Sequence, residues 1–217
     1  MQLSVIQCWD DGVTTDIRLT DILRRHGARA TFNLNAGLHE GVRKPGWVHQ
    51  GTEVWRLSWQ ELKDVYQGFT VANHTLTHPF LDQIPIALAR QEIFEGRAQL
   101  QELFGQTVDG FVYPFGSFNA QVTELVREAG HVYARTTLQT AAVVPFSDPI
   151  TLHPSCHFLA PDFWDRFEVS KEVGVFYFWG HSYEMTTEWM WHDFESMVAR
   201  ITNDPASVWC DVAEVVS

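Results

Sequence analysis

The sequence predicts an α/β fold, a (β/α) barrel with seven or eight parallel strands. Two observations carry the prediction. Strand-like and helix-like segments alternate along the whole chain, and repeated β-then-α order implies right-handed crossovers and a parallel sheet. The 217 residues also show no repeat, low-complexity tract or interdomain linker, so one domain over 1–217 is expected, with one sizeable core. Seven or eight such units in one domain favour a barrel over an open sheet. A barrel gathers its reactive groups at the carboxyl ends of the strands.

The elements follow in order. Residues 3–9 read as the first strand. Residues 16–26 have helical periodicity and stop at Gly27. Residues 28–33, small and β-forming, are the second strand. The stretch 36–57 reads as a long loop holding Gly, Pro, His and Trp, long enough to suggest a functional rim. Ser58-Trp59-Gln60-Glu61 is a capping-box pattern that starts a helix to about Gln67. Residues 69–73 form a third strand, 84–104 a long amphipathic helix, 110–113 a fourth strand, 120–129 a helix and 131–136 a fifth strand. A short strand is expected at 150–153, a helix at 162–172, a buried strand at 175–179, a helix at 188–201 and a last strand at 207–211.

Hydrophobic residues make up 45% and charged residues 19%, the balance of an ordinary folded protein. The formal net charge of -12 repels phosphate backbones and anionic lipid, which argues against nucleic acid and membrane surfaces as partners. No apolar run is long enough to span a bilayer, and Met1 is followed almost at once by a strand, without a basic leader. As it stands the sequence reads as cytoplasmic; a secreted protein shortened at its N-terminus would read the same. Cys8, Cys156 and Cys210 are odd in number and show no C-x-x-C spacing, so free thiols are expected.

Chemistry-bearing residues fall at strand ends. The first strand runs into Asp10-Asp11-Gly12. Two adjacent carboxylates at the mouth of a sheet repel one another, and a bound cation removes that cost; an isolated Asp-Asp-Gly is more often a plain turn. The third strand ends in Asn73-His74-Thr75-Leu76-Thr77-His78-Pro79. Two imidazoles at this spacing can face one metal, though surface histidines would look alike. With an aspartate from another strand end they would make a three-ligand site that leaves a position for water. The fourth strand ends in Tyr113-Pro114-Phe115-Gly116, a tight turn whose Phe115 amide could stabilise an oxyanion. The strand at 175–179 delivers Gly180-His181-Ser182-Tyr183-Glu184, which sets His181 where a general acid would stand.

The ordered set W-D-D-G, A-T-F-N-L, N-H-T-L-T-H-P, Y-P-F-G and W-G-H-S resembles the polysaccharide deacetylase family, also known as the nodulation-deacetylase homology domain or carbohydrate esterase family four. The resemblance runs from Val5 to about Val212. It implies a distorted (β/α) barrel and a single catalytic domain. It further implies one divalent metal, zinc before Co2+, Mn2+ or Ni2+, and removal of acetyl or similar acyl groups from N-acetylated sugars. On this resemblance Asp10 is the catalytic base, Asp11, His74 and His78 are metal ligands, the Phe115 backbone is part of an oxyanion hole and His181 is the catalytic acid. Two positions depart from the family pattern. Val112 stands where the family has an arginine that braces the base, and Phe163-Trp164-Asp165 is the nearest match to the motif that orients the acid histidine.

Arg135, near the carboxyl end of the next strand, is the candidate replacement for that arginine. Trp47 and Trp55 in the long loop, with Tyr113 and Tyr183, are candidate substrate-binding residues; Trp189 and Trp191 are further rim candidates. The substrate is expected to be a carbohydrate or a small amide, and nothing in the sequence speaks to oligomeric state. Two other functions are weighed. One is a cytoplasmic C–N hydrolase that opens cyclic imides or allantoin. The other is a non-catalytic relative that binds metal or sugar, which the retention of Asp10 and His181 argues against.

Overall fold

Residues 2–140 and 148–216 are described by a computed structural model. In chain order the elements are β1 (Leu3–Asp10), α1 (Asp16–Arg25), β2 (Thr31–Leu34), β3 (Lys44–His49), β4 (Thr52–Arg56), α2 (Glu61–Val65), β5 (Thr70–Asn73), α3 (Ile86–Phe104), β6 (Gly110–Val112), α4 (Ala120–Glu128), β7 (Tyr133–Arg135), β8 (Cys156–His157), α5 (Phe163–Val173), β9 (Val175–Gly180), α6 (Glu188–Asn203), β10 (Ser207–Trp209) and α7 (Val212–Val216).

Eight parallel strands form one sheet in the order β7-β6-β5-β2-β1-β9-β8, with β10 added to β1. β1 is the centre of this arrangement. β9 pairs with it along Ser4–Trp9. The opposite edge is shared: β10 takes Leu3–Val5 and β2 takes Cys8–Asp10. The sheet curls into a half-barrel whose end strands, β7 and β8, do not pair. Leu152 and the residues after it span the seam. Leu152 bridges Arg135, the Leu152 amide donates to Ala134 and its carbonyl accepts from Thr136. The Ser155 amide then donates to Tyr177, and β8 follows on β9.

The seam corrects one expectation. Instead of a strand at 150–153, Pro149–Thr151 is a 3-10 turn capped by Asp148, and the seam strand is the two-residue β8. Pro149 and Pro154 have no N–H to donate, so the pairing between them is limited to the isolated bridge of Leu152 to Arg135. The long loop at 36–57 is corrected too. It contains the antiparallel hairpin β3–β4. The turn residues Gln50 and Gly51 both have positive φ, the geometry of a two-residue turn that matches strand twist. The helix at 58–67 shortens to α2. The Glu61 carboxylate does reach back to the amide and hydroxyl of Ser58.

Alternation along the strands separates two apolar layers. On β1, Leu3, Val5 and Trp9 face the helices with Leu19, Phe167, Phe194 and Val198. Ile6 and Cys8 face the interior with Tyr133, Leu152, Val175 and Tyr177. Asp10 continues the interior series, as Trp179 and then His181 continue it from Val175 and Tyr177. The same pleat that builds the core therefore aims Asp10 and His181 inward at the mouth. The three cysteines are free, as expected. No helix among the described residues is long and apolar enough to cross a membrane.

Candidate active site and metal centre

A cavity of about 380 Å³ opens at the carboxyl ends of the strands and is lined by residues that include Asp10, Asp11, His74, His78, Phe115 and His181. The loops that carry these groups are conformationally costly. Of the five non-glycine residues with positive φ among those described, four lie here: Asp11, Thr75, His78 and Phe115. Such backbones persist only where the surroundings over-determine them, and they cluster at functional sites. Gly12 shares the strain. It has φ +67, and a Cβ there would stand 2.6 Å from the buried His39 ring.

Asp11, His74 and His78 converge. Nε2 of His74 and Nε2 of His78 are 3.1 Å apart, and an Asp11 oxygen lies 4.0 and 3.8 Å from them. A tetrahedral ion with ordinary bonds to nitrogen and oxygen separates its ligands by about 3.3 Å, so the donor set and its spacing fit a divalent metal. The tautomer fits as well. Nδ1 of His74 lies 2.8 Å from the Val112 carbonyl, which assigns the proton to Nδ1 and leaves the Nε2 lone pair facing the cavity. Both imidazoles are kept neutral. Burial lowers the pKa of His74, against the charges of Asp10 and Asp11. Burial and the neighbouring His74 push His78 down to about 4.

Asp10 is held on both oxygens. Asn33, its register partner on β2, donates to Oδ1 at 2.6 Å, and Arg135 donates to Oδ2 at 2.5 Å. Burial would raise its pKa, but the charge of Arg135, with His74, His181 and Asn33 behind it, holds it at about 2. Arg135 is itself fully buried, with its guanidinium 4.5 Å from the Trp179 ring. Val112 and Arg135 are paired residues on β6 and β7. Arg135 thus stands one strand beside Val112 at the same height, and from there it reaches Asp10.

His181 stands with Nε2 3.9 Å from oxygens of both Asp10 and Asp11. Its Nδ1 lies 3.1 Å from Glu184, whose carboxylate also accepts from the His181 amide at 2.9 Å. Burial alone would lower the His181 pKa; the Glu184 hydrogen bond and the surrounding carboxylates lift it to about 9. Glu184 meets a second imidazole, Nε2 of His157, at 2.9 Å. The Leu159 amide points at Nδ1 of His157, which assigns the His157 proton to Nε2 and makes it a donor to Glu184. With these bonds the Glu184 carboxyl lies well below the usual range despite burial. The Phe163-Trp164-Asp165 expectation is corrected here. Those residues begin α5, with Phe163 in the core and Trp164 under Arg200, and the partner of His181 is Glu184.

The other candidates divide. The turn after β6 uses the amides of Gly116 and Ser117, and the Phe115 amide takes part in neither bond. The Phe115 ring stacks on Phe80 at 3.9 Å and meets His78 edge-on. Tyr113 lines the cavity, but its hydroxyl is spent on the Ile150 carbonyl at 2.9 Å. Tyr183 lines the cavity and packs on His181, with Trp47 behind it at 5.0 Å. Trp55 is on the outer side of the hairpin, where its indole N–H donates to Glu53, away from the cavity lining. Sequence reasoning missed Asn33, His157 and Glu184. The only local signal was the i,i+3 spacing of His181 and Glu184.

Comparison with known proteins bears on the fold and the family. A sequence search of curated proteins returned no match. Solved structures share the fold. A Streptococcus pyogenes deacetylase in complex with acetate superposes with a TM-score of 0.56 at 22% identity, covering 67% of this chain. The match spans 61% of that protein's length. A family 4 carbohydrate esterase from Streptomyces lividans, also in complex with acetate, gives 0.60 at 16% identity over 95% of this chain and 91% of its own. A CE4 family pseudoenzyme from Bacillus anthracis gives 0.63 at 17% identity over 100% of this chain and 66% of its own. The sequence model for polysaccharide deacetylase matches residues 2–134, which include Asp10, Asp11, His74 and His78. The chain belongs to the polysaccharide deacetylase family.

Proposed function

We propose that this protein is a metal-dependent hydrolase that removes acetyl or similar acyl groups from an N-acetylated sugar or oligosaccharide, with residues 1–217 acting as one catalytic unit. The observation that carries the reading is the convergence, at one mouth, of three metal-type ligands with a base-type carboxylate and an acid-type imidazole. The two latter groups lie 3.9 Å apart. Pure binding of metal or sugar requires neither of them.

Asp11, His74 and His78 hold the ion, zinc by preference for a carboxylate and two imidazoles. Bound there, it supplies Lewis acidity toward water and the acyl oxygen. Asp10, kept ionised by Arg135, takes the proton as water attacks the acyl carbon. The Phe115 amide donates to the developing oxyanion. His181, protonated and aligned by Glu184, gives its Nε2 proton to the departing amine, which leaves poorly without it. Tyr183, Trp179 and Phe115 wall the reacting group from bulk water.

The test is elemental analysis joined to a substrate panel of N-acetylated sugars, O-acetyl esters and cyclic imides or ureides. About one equivalent of metal and acetate release from amino sugars are expected, with Asp10→Asn slower by roughly 10²–10⁴-fold at unchanged metal content. Turnover of cyclic imides alone would reassign the substrate, and metal uptake with no turnover at all would reassign the protein to the non-catalytic relatives.

A further inference from the structure

The metal-type ligands lie on strands that do not touch. Asp11 follows β1 and His74 follows β5, and β2 runs between them. A side-chain tie crosses that gap. Arg56, the last residue of β4, is buried, and its Nη1 donates to the Asp11 carbonyl at 2.7 Å and to Oδ1 of Asn35 at 3.2 Å. Nδ2 of Asn35, just beyond β2, donates to the His74 carbonyl at 2.5 Å. The backbones of one carboxylate ligand and one imidazole ligand are therefore joined through two buried side chains.

Arg56 is an unusual cation for its place. It forms no ion pair among the described residues; its contacts are the two oxygens and the face of Trp47 at 5.1 Å. Asp11 needs such a restraint, because its φ of 87° is one that side-chain-bearing residues rarely adopt. The hairpin itself is pinned to the same loop by backbone bonds, Thr14 N–H to Trp55 and Leu57 N–H to Gly12. Those bonds do not involve the Arg56 side chain and remain when it is replaced.

We propose that Arg56 is a positioning residue of the metal centre. With Asn35 it fixes the Asp11 and His74 loops at ligand spacing, so that the β3–β4 hairpin sets metal affinity without contributing a ligand. The inference rests on the reading of Asp11, His74 and His78 as the metal site.

Its sign separates it from simple electrostatics. A cation beside a metal site repels the ion, so removing its charge alone tightens binding. Removing a brace loosens it, and outer partners of metal ligands are worth roughly 10–100-fold in affinity. The experiment titrates metal-free protein with Zn2+ by calorimetry and with Co2+ by its visible absorption, for wild type, Arg56→Met, Arg56→Lys and Asn35→Ala. Arg56→Met and Asn35→Ala are expected to bind roughly 10–100-fold more weakly, with altered Co2+ bands and a cooperative melt of the metal-free protein. Arg56→Lys keeps the charge but replaces the planar guanidinium, whose Nη1 serves both oxygens, with an ammonium on a shorter, flexible stem, and it is expected not to restore affinity. If Arg56→Met does not melt cooperatively, Asn35→Ala carries the test, since it cuts the same tie at its other end. Tighter binding by Arg56→Met, or wild-type affinity in Asn35→Ala, overturns the proposal. Wild-type protein that binds neither ion overturns the metal reading itself and the clamp with it.

Discussion

Two clusters at the mouth have the same composition, two imidazoles and one carboxylate, and opposite electrostatics. In the first, Asp11 stands 3.8 and 4.0 Å from His78 and His74, too far for hydrogen bonds, and the two nitrogens face the same point as the carboxylate. Burial keeps both rings neutral. In the second, Glu184 touches His157 at 2.9 Å and His181 at 3.1 Å, and the His181 pKa rises to about 9. A carboxylate within hydrogen-bond reach of an imidazole satisfies itself with protons. One held back by about an ångström makes no such bond, and its oxygens stay open to a cation. Residue composition makes both clusters metal-type; by contact distance the second is hydrogen-bonded within itself, while the first leaves three donor atoms facing one point, which fits the proposed ion.

The largest effect expected on breaking the comparison is at the first cluster. His78→Ala should lose its metal and fall to background turnover, whereas His157→Ala should keep a full equivalent of metal. Elemental analysis of the two purified variants checks this. Loss of metal from His157→Ala alone would exchange the roles of the clusters.

Next in size are the two braces. Arg135→Met should retain metal and slow turnover by roughly 10–100-fold, a typical loss for a supporting partner. Without the guanidinium the Asp10 carboxyl rises from about 2, so the acidic limb of the rate profile moves to higher pH. Glu184→Gln should give a loss of similar size at the other limb. His181 must be protonated to act, and without the carboxylate its pKa falls from about 9, so the alkaline limb moves to lower pH. Rate–pH profiles in both variants test this; limbs that stay put in either one would detach that brace from the reaction.

The positions of Asp10, Asp11, His74, His78 and His181 were readable because each lies at the end of a strand or in the short segment that follows one. Arg135 was readable by the same strand-end logic. Its pairing with Val112 was not, because register is a property of two strands together. His157 was hidden for a different reason. A two-residue strand after Pro154 has no periodicity to detect. The hairpin hid in a segment whose glycine and proline content reads as loop, although His49-Gln50-Gly51-Thr52 carried the turn that makes it one. Of the barrel, the strand order along the chain was legible. The divided edge of β1 and the patched seam were not, since both depend on which strands meet.

Beneath the second cluster the expected effect is on stability rather than on rate. Asp16 accepts from Ser182, Tyr66 and the Val13 amide, and burial pushes its carboxyl up to about 7 against those donors, with the Asp11 charge adding to the rise. The folded protein therefore keeps a proton that the unfolded chain releases near pH 4. That contribution is complete below the unfolded value and is lost as pH climbs from about 4 to 7, at up to about 1.4 kcal/mol per pH unit. Asp16→Asn should flatten this part of the stability profile. Melting temperatures of metal-free protein across that window, with the same slope in both proteins, would remove Asp16 from the account.

The pairing of β1 with β9 has a consequence for how the molecule comes into being. These neighbours are far apart along the chain; the Cys8–Tyr177 contact between them closes a loop of 169 positions. Contacts of such separation bear the full entropy of loop closure and form late. While the polypeptide leaves the ribosome, the strand that carries Asp10 waits until β9, which begins at Val175, has emerged and can lie beside it. The segments bearing Asp11, His74 and His78 are all made by residue 78. A growing chain can thus bring Asp11, His74 and His78 together long before it can bring His181 beside Asp10, so the proposed base and acid are the last to meet.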